Sequence, residues 1–226
     1  MQVSSWKLVE RFNGVIMCMV TTILTKDYGV IASDSASYDK DGKMTYESPK
    51  LFLFNKKYLV TYIGYADYLL NIDGTKFEYD FPALSVYLSD FLRRVHNERT
   101  ENKRFCLFLL GTHNGLPVLL QLNSFNDFQP IWLEPQEQPV HSSIFYGEDD
   151  DKKKAFEEAD QVIGSLLDKW KERLSPGILG EILTRGIYAK ADIEEKLTGN
   201  KYCGGSVSVA VMTKEGKAYS LSNVFI

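Results

Sequence analysis

Two spacings of apolar residues alternate along the chain, and each predicts a different element. Val15 to Thr25 is rich in Val, Ile, Met and Thr, Lys26-Asp27-Tyr28-Gly29 is a turn signal, and Val30 to Ser33 resumes the β-type run, which predicts a hairpin. The polar stretch from Ser35 to Pro49 reads as loop or irregular strand. Leu51 to Phe54, Asn55-Lys56-Lys57 and Tyr58 to Ile63 predict a second hairpin. Between Ala83 and Val95 the period lengthens. Leu84, Val86, Tyr87, Phe91, Leu92 and Val95 fall near a 3.6-residue period, and Arg93-Arg94 sit late, where cations suit the helix dipole. Strands are expected at Arg104 to Leu110, Pro117 to Leu122, Pro130 to Leu133 and Ser143 to Tyr146, with Thr112-His113-Asn114-Gly115 turning between the first two. Asp149 to Leu174 carries acids early and apolar residues at helical spacing, a second helix. Ile178 to Tyr188 predicts a third, ended before Thr198-Gly199-Asn200. Ser206 to Met212, Lys214-Glu215-Gly216 and Ala218 to Leu221 form a last hairpin.

Strands, helix, strands, two helices, strands is an order that suits antiparallel sheets with segregated helix layers, an α+β fold, better than an alternating βαβ sheet. The 226 residues carry no repeat, low-complexity tract or linker, so one domain is expected, and 44% apolar against 25% charged residues argues against a disordered chain. No stretch approaches the roughly 20 apolar residues that span a bilayer, and the patch after Lys7, Glu10 and Arg11 is too short for a secretory signal. A cytoplasmic protein without a membrane partner is expected. The net charge of −4 lacks the basic excess that grips a phosphate backbone, which argues against nucleic acid. Cys18, Cys106 and Cys203 are odd in number and widely spread, which argues against disulfide scaffolding and for a reducing compartment.

Metal chemistry finds little support. His96, His113 and His141 are isolated, and there is no CxxC, HExxH or calcium-loop pattern. Glu148-Asp149-Asp150-Asp151 reads as the solvated, dipole-favoured start of a helix, and Cys106 as a buried strand residue. There is no Walker or dinucleotide glycine pattern, and Cys203-Gly204-Gly205 precedes a strand rather than a helix, so no phosphate cradle is expected. Neither metal nor cofactor is expected.

One constellation stands apart. Cys18, Asp34, Lys50 within Lys50-Leu51-Phe52, and Gly64 within Tyr62-Ile63-Gly64 follow at intervals of 16, 16 and 14 residues. Taken singly, Asp34 reads as a loop cap, Lys50 as a surface charge and Gly64 as a tight bend. Together they resemble the nucleophile, carboxylate, lysine and glycine of proteasome β-type subunits, members of the N-terminal nucleophile (Ntn) hydrolases, and in particular a bacterial proteasome-like peptidase. Cys203-Gly204-Gly205-Ser206-Val207 and the hairpin after it resemble that family's Ser-Gly-Gly loop and closing strands. The sequence departs from the family at several points: Cys18 replaces threonine, Met17 replaces the preceding glycine, and Gly147-Glu148-Asp149 lacks a serine. Asn200 and Cys203 stand where the family has aspartate and serine. Thr21, beside Thr22, is the alternative nucleophile, but it lies only 13 residues before Asp34.

The resemblance implies a four-layer αββα sandwich of two antiparallel sheets. It makes residues 1–17 a propeptide or non-native extension and 18–226 a single Ntn-hydrolase domain. Cys18 attacks an amide as nucleophile and its α-amine serves as base, a group that titrates near 8 and needs no histidine. Lys50 and Asp34 set the electrostatics, the Gly64 N–H serves the oxyanion, and Asn200, Cys203 and Gly204 support them. Gapless carry-over lines the substrate pocket with Ser37, Ser48, Phe52, Tyr62 and Ala66. The expected substrate is a peptide or unfolded protein, the expected assembly a homo-oligomeric ring that sequesters the nucleophile, and an ATPase unfoldase is the partner class such rings use. The alternatives are a cysteine-type Ntn acylase on small amides, or a noncatalytic ring subunit in which residues 1–17 run uncleaved into the first strand.

Overall fold

β-Branched and apolar runs separated by short turns give twelve strands among the described residues, and three amphipathic segments give helices. The structure, a computed structural model, describes residues 19–38, 44–47, 50–64, 66–69, 71–98, 104–145, 150–199 and 203–221. The strands are β1 (Met19–Leu24), β2 (Tyr28–Asp34), β3 (Ala36–Tyr38), β4 (Met44–Glu47), β5 (Phe52–Phe54), β6 (Tyr58–Gly64), β7 (Phe105–His113), β8 (Leu116–Asn123), β9 (Ile131–Leu133), β10 (Val140–Phe145), β11 (Val207–Thr213) and β12 (Ala218–Ser220). The helices are α1 (Phe81–Asn97), α2 (Asp150–Trp170) and α3 (Pro176–Thr198).

All strand pairings are antiparallel. One sheet has the order β10-β1-β2-β11-β12, a second runs β5-β6-β7-β8-β9, and β3 pairs with β4 in a small ribbon. Side chains alternate across each strand. Met19 and Ile23 of β1 therefore pack outward with Val30, Ala32 and Val209 against Ile163, Leu179, Leu183 and Ile187 of α2 and α3. Val20 and Leu24 point the other way and meet Leu59, Ile63 and Phe108 of the second sheet. That sheet's outer face, with Val60, Leu109 and Leu120, packs on Leu84, Leu88 and Leu92 of α1. The stack is helix, sheet, sheet, helix: an α+β sandwich with both sheets antiparallel, as the element order predicts.

Local chemistry sets the boundaries. Asp80 caps α1 by accepting the Ala83 N–H at 2.9 Å, Ser175 caps α3, and each helix has a proline in its first turn, where no N–H is needed. Asn114 and Gly115, both at positive φ, make the two-residue turn that joins β7 to β8, so β7 continues past the expected Leu110 to His113. α3 extends well beyond the expected Tyr188 to Thr198, because Lys190, Ala191 and Glu194 are buried on its inner face and hold the added turns. The ribbon β3–β4 lies within the polar stretch read as loop or irregular strand. Among the described residues no helix is long and apolar enough to cross a membrane.

Candidate functional site

Asp34 and Lys50, 16 residues apart in sequence, meet at the end of the inter-sheet core. Asp34 is the last residue of β2, the central strand of its sheet, with β1 on one side and β11 on the other. Lys50 enters from the segment before β5. Its neighbour Leu51 packs with Val20 and Ile63 in the inter-sheet core, which carries the lysine under the end of β2. The Lys50 Nζ lies 3.6 Å from Asp34 Oδ1, with the side chains 2% and 0% exposed, and donates a hydrogen bond to the Ala36 carbonyl. Both are therefore interior charges rather than a loop cap and a surface lysine. Burial pushes the Asp34 carboxyl above its ordinary range and the Lys50 ammonium below its own, and each partner's charge opposes the shift on the other. Asp34 Oδ2 also accepts the Gly204 N–H at 3.5 Å, and the carboxylate accepts the backbone N–H of Met19. Among the described residues no hydrogen-bond donor reaches its buried Oδ1.

The loop Cys203 to Ser206 closes over this pair. Gly204 accepts the Ala36 N–H at 3.1 Å, continuing the sheet past β2. Glu47 anchors the far side: its Oε1 accepts the Ser35 hydroxyl at 2.7 Å and the Ser206 N–H at 2.5 Å, and the Ser35 and Ser206 hydroxyls are 2.9 Å apart. These bonds hold the Glu47 carboxyl below the usual range. Gly205, at φ +72°, passes so close that a Cβ there would stand 2.6 Å from the Ser35 hydroxyl. Ser35, Glu47 and Ser206 were not singled out from sequence, because polar residues in a loop-like stretch carry no spacing signal.

A second buried pair borders the first. Lys190 of α3 is fully buried, and its Nζ donates to Glu194 Oε2 at 3.0 Å and contacts Cys203 Sγ at 3.3 Å. Burial lowers its ammonium, while Glu194 and then Asp34 oppose that shift. Lys50, Asp34, Lys190 and Glu194 thus form a buried run of alternating charge. The sequence hint was only a Lys and a Glu at i and i+4 on a helix, a pattern usual on surfaces.

Cys203 is fully buried and disulfide-bonded, and Cys106 is a free, buried thiol. The bond at Cys203 corrects the expectation of a reducing compartment without disulfides only in part, since an odd count argues against a disulfide scaffold but does not exclude a single bond. Cys106 sits opposite Ile63 in the β6–β7 register, and apolar burial pushes its thiol well up, so it is inert.

Gly64 ends β6 beside the same inter-sheet core. At φ +98° it holds a conformation that other residues rarely adopt, and a Cβ there would stand 2.2 Å from the Arg104 carbonyl oxygen. Cys18, Asn200 and Ser48 lie outside the described residues, as do Met17, Gly147, Glu148 and Asp149. Ser37 is in β3, opposite Tyr46, and Ala66 opens a 3₁₀ turn that ends at Leu69; their side chains are not among those described. Phe52 and Tyr62 pack into the α1-side core, with Tyr62 4% exposed and its ring 6.0 Å from Phe105. Thr21 is fully buried in mid-β1, paired with Ala32 and Ser143 on either side. Its hydroxyl bonds the Ser143 hydroxyl at 2.7 Å and lies 3.0 Å from His141 Nε2, and Asp160 of α2 lies 3.5 Å from His141 Nδ1. Among the described residues, no group of three or more His, Cys, Asp or Glu side chains has the arrangement of a metal site.

Asp34, Lys50, Cys203 and Gly204 are thus brought together, and Gly64 ends β6 in the facing sheet. Neither a protein-family profile nor a curated protein matches this chain.

Proposed function

We propose that the chain is a proteasome-like amide hydrolase of the N-terminal nucleophile type, acting through Cys18 once residues 1–17 are removed. The observation that supports this most strongly is the buried Asp34–Lys50 pair. Asp34, 3.6 Å from the Lys50 Nζ, accepts the N–H of Met19, the residue that follows the proposed nucleophile in sequence. Two interior charges cost stability unless something offsets them, and a pair kept at a strand end beside a chain terminus fits chemistry better than architecture. The buried ammonium favours the Cys18 thiolate, and the freed α-amine takes the proton. The thiolate attacks the amide carbon, the oxyanion is stabilised by the Gly64 N–H, the amine leaves with a proton, and water then hydrolyses the thioester. The reading carries a cytoplasmic ring with peptides or unfolded proteins as substrates and an ATPase unfoldase as partner class. The small-amide acylase differs from it only in substrate.

Intact-mass measurement of protein from its native source tests the chemistry, together with an electrophilic peptide probe. The expected chain begins at Cys18 and is labelled there. Cys18→Ala abolishes turnover and Thr21→Ala does not. An active chain that still bears Met1 or Met17, or full activity in Cys18→Ala, overturns the reading. A panel of fluorogenic peptides and acylated amino acids separates peptidase from acylase, and light scattering during gel filtration tests the ring.

A further inference from the structure

We infer that Ser143, His141 and Asp160 form a second nucleophilic site, an acyl-transfer centre for small esters on the α2 side of the first sheet; it does not rest on the Cys18 reading. His141 and Ser143 are two residues apart on β10, so their side chains leave the same face of the strand. α2 lays Asp160 against that face. The His141 Nε2 lies 2.7 Å from the Ser143 Oγ, and the Asp160 Oδ1 lies 3.5 Å from the His141 Nδ1. The ring thus stands between a hydroxyl at one nitrogen and a carboxylate at the other. The carboxylate draws the ring proton to Nδ1 and leaves Nε2 as the base, the arrangement by which a histidine activates a hydroxyl.

Two hydroxyls reach Nε2, and exposure chooses between them. The Thr21 Oγ1 lies 3.0 Å from Nε2 and 2.7 Å from the Ser143 Oγ, but Thr21 is fully buried in mid-β1. Ser143 is only half-buried, with the side chains of His141 and Asp160 14% and 45% exposed. Ser143 is therefore the nucleophile, and Thr21 is a hydrogen-bond partner that fixes its oxygen. β10 is also a sheet edge: among the described residues β1 is the only strand paired with it. Backbone N–H groups alternate between the partner and the open side of such a strand, so Ser143 or its neighbour directs one away from β1, toward a developing oxyanion. Burial holds the His141 imidazole below its ordinary pKa, so at neutral pH it is uncharged and can accept a proton.

A carboxylate this open to solvent gives the imidazolium modest support, enough for the alcohol leaving group of an ester rather than the amine of an amide. The Ser143 Oγ attacks the ester carbonyl carbon, and its proton passes to Nε2. The bond from that carbon to the alcohol oxygen breaks, and the alcohol leaves with the proton from Nε2. Water then gives a proton to Nε2 as its oxygen attacks the acyl carbon. The acid departs, and Ser143 recovers its proton. One ester and one water become one acid and one alcohol, and the protein ends as it began.

The experiment treats the full chain with phenylmethanesulfonyl fluoride, which transfers its sulfonyl group to the Ser143 Oγ and releases fluoride, the proton going to His141. Peptide mapping is expected to find an adduct on Ser143, and it separates that adduct from any label on a cysteine. His141→Gln, checked for folding by circular dichroism, is expected to slow the Ser143 adduct about a hundredfold. Asp160→Asn is expected to move the pH midpoint of labelling downward. Asp160 on α2 is the charged group that faces the ring, whereas among the described residues β1 and β10 face it with the Thr21 and Ser143 hydroxyls. A purely structural Asp160 would leave that midpoint in place. Hydrolysis of para-nitrophenyl acetate is expected to be faster in the parent than in Ser143→Ala. A folded parent with no adduct on Ser143 overturns the site, whatever is found at Cys18. So does an adduct that forms at the parent's rate in folded His141→Gln, or equal ester hydrolysis in the parent and Ser143→Ala.

Discussion

Replacing Lys50 by Met keeps most of the side-chain volume and removes the ammonium, so Asp34 stays buried and loses its nearest cation. Taking one partner from a buried pair costs about 3–5 kcal/mol. Asp34 keeps the Gly204 and Met19 N–H groups and the field of Lys190, and its carboxyl is already displaced toward the protonated form. These compensations set the expected loss near the lower bound, about 3 kcal/mol. A domain holds roughly 5–15 kcal/mol in total, so the variant still folds and its stability is measurable. The double variant Asp34→Leu with Lys50→Met removes both charges and is expected to recover about 2 kcal/mol of that loss, so the two changes are far from additive. Urea unfolding followed by circular dichroism at neutral pH measures all four corners of the cycle. Peptide hydrolysis is measured alongside it and is expected to vanish in both Lys50→Met chains. The Lys50→Met deficit also shrinks in acid, where a neutral Asp34 needs no cation. A single variant as stable as the parent refutes the buried-pair reasoning, as does a double variant no more stable than the single. A double variant that is stable and fully active refutes the chemical role.

Three further outcomes follow from individual contacts. Gly64→Ala puts a Cβ 2.2 Å from the Arg104 carbonyl at φ +98°, and backbone strain of about 1–3 kcal/mol or more is expected, with faster hydrogen exchange at Phe105 where β6 and β7 part. Gly186→Ala drives a Cβ to 2.4 Å from Ile163 where α2 crosses α3, an overpacking cost of about 1–3 kcal/mol; adding Ile163→Ala should destabilise by less than the sum of the two single changes in thermal unfolding. Burial lowers the His141 pKa despite Asp160, so between its folded value and about 6.5 the unfolded chain binds the proton and the folded one does not. Melting temperature should therefore fall as pH drops below about 6.5, and the fall should flatten in His141→Gln; an unchanged profile in that variant removes His141 as the cause.

Most of the architecture was legible as local pattern. The β-type run of Met19–Leu24, buried at every position, and the helical stripe of α1 mark a strand and a helix, because β-branched content and period 3.6 follow from local backbone geometry. The spacing of Asp34, Lys50 and Gly64 was legible too, but only as a set, since an acid, a lysine and a glycine taken singly have commoner roles. The extra turns of α3 were not legible: an i, i+4 spacing such as that of Lys190 and Glu194 is usual on solvated faces, and only the packing of α3 on the first sheet removes the water around them. Glu47 and Ser35 were hidden for the same reason, since their value lies in the loop from Cys203 to Ser206, more than 150 residues away, which only the pairing of β11 with β2 brings beside them. The state of Cys203 was the least accessible to counting, because whether two thiols bond depends on where their backbones are held.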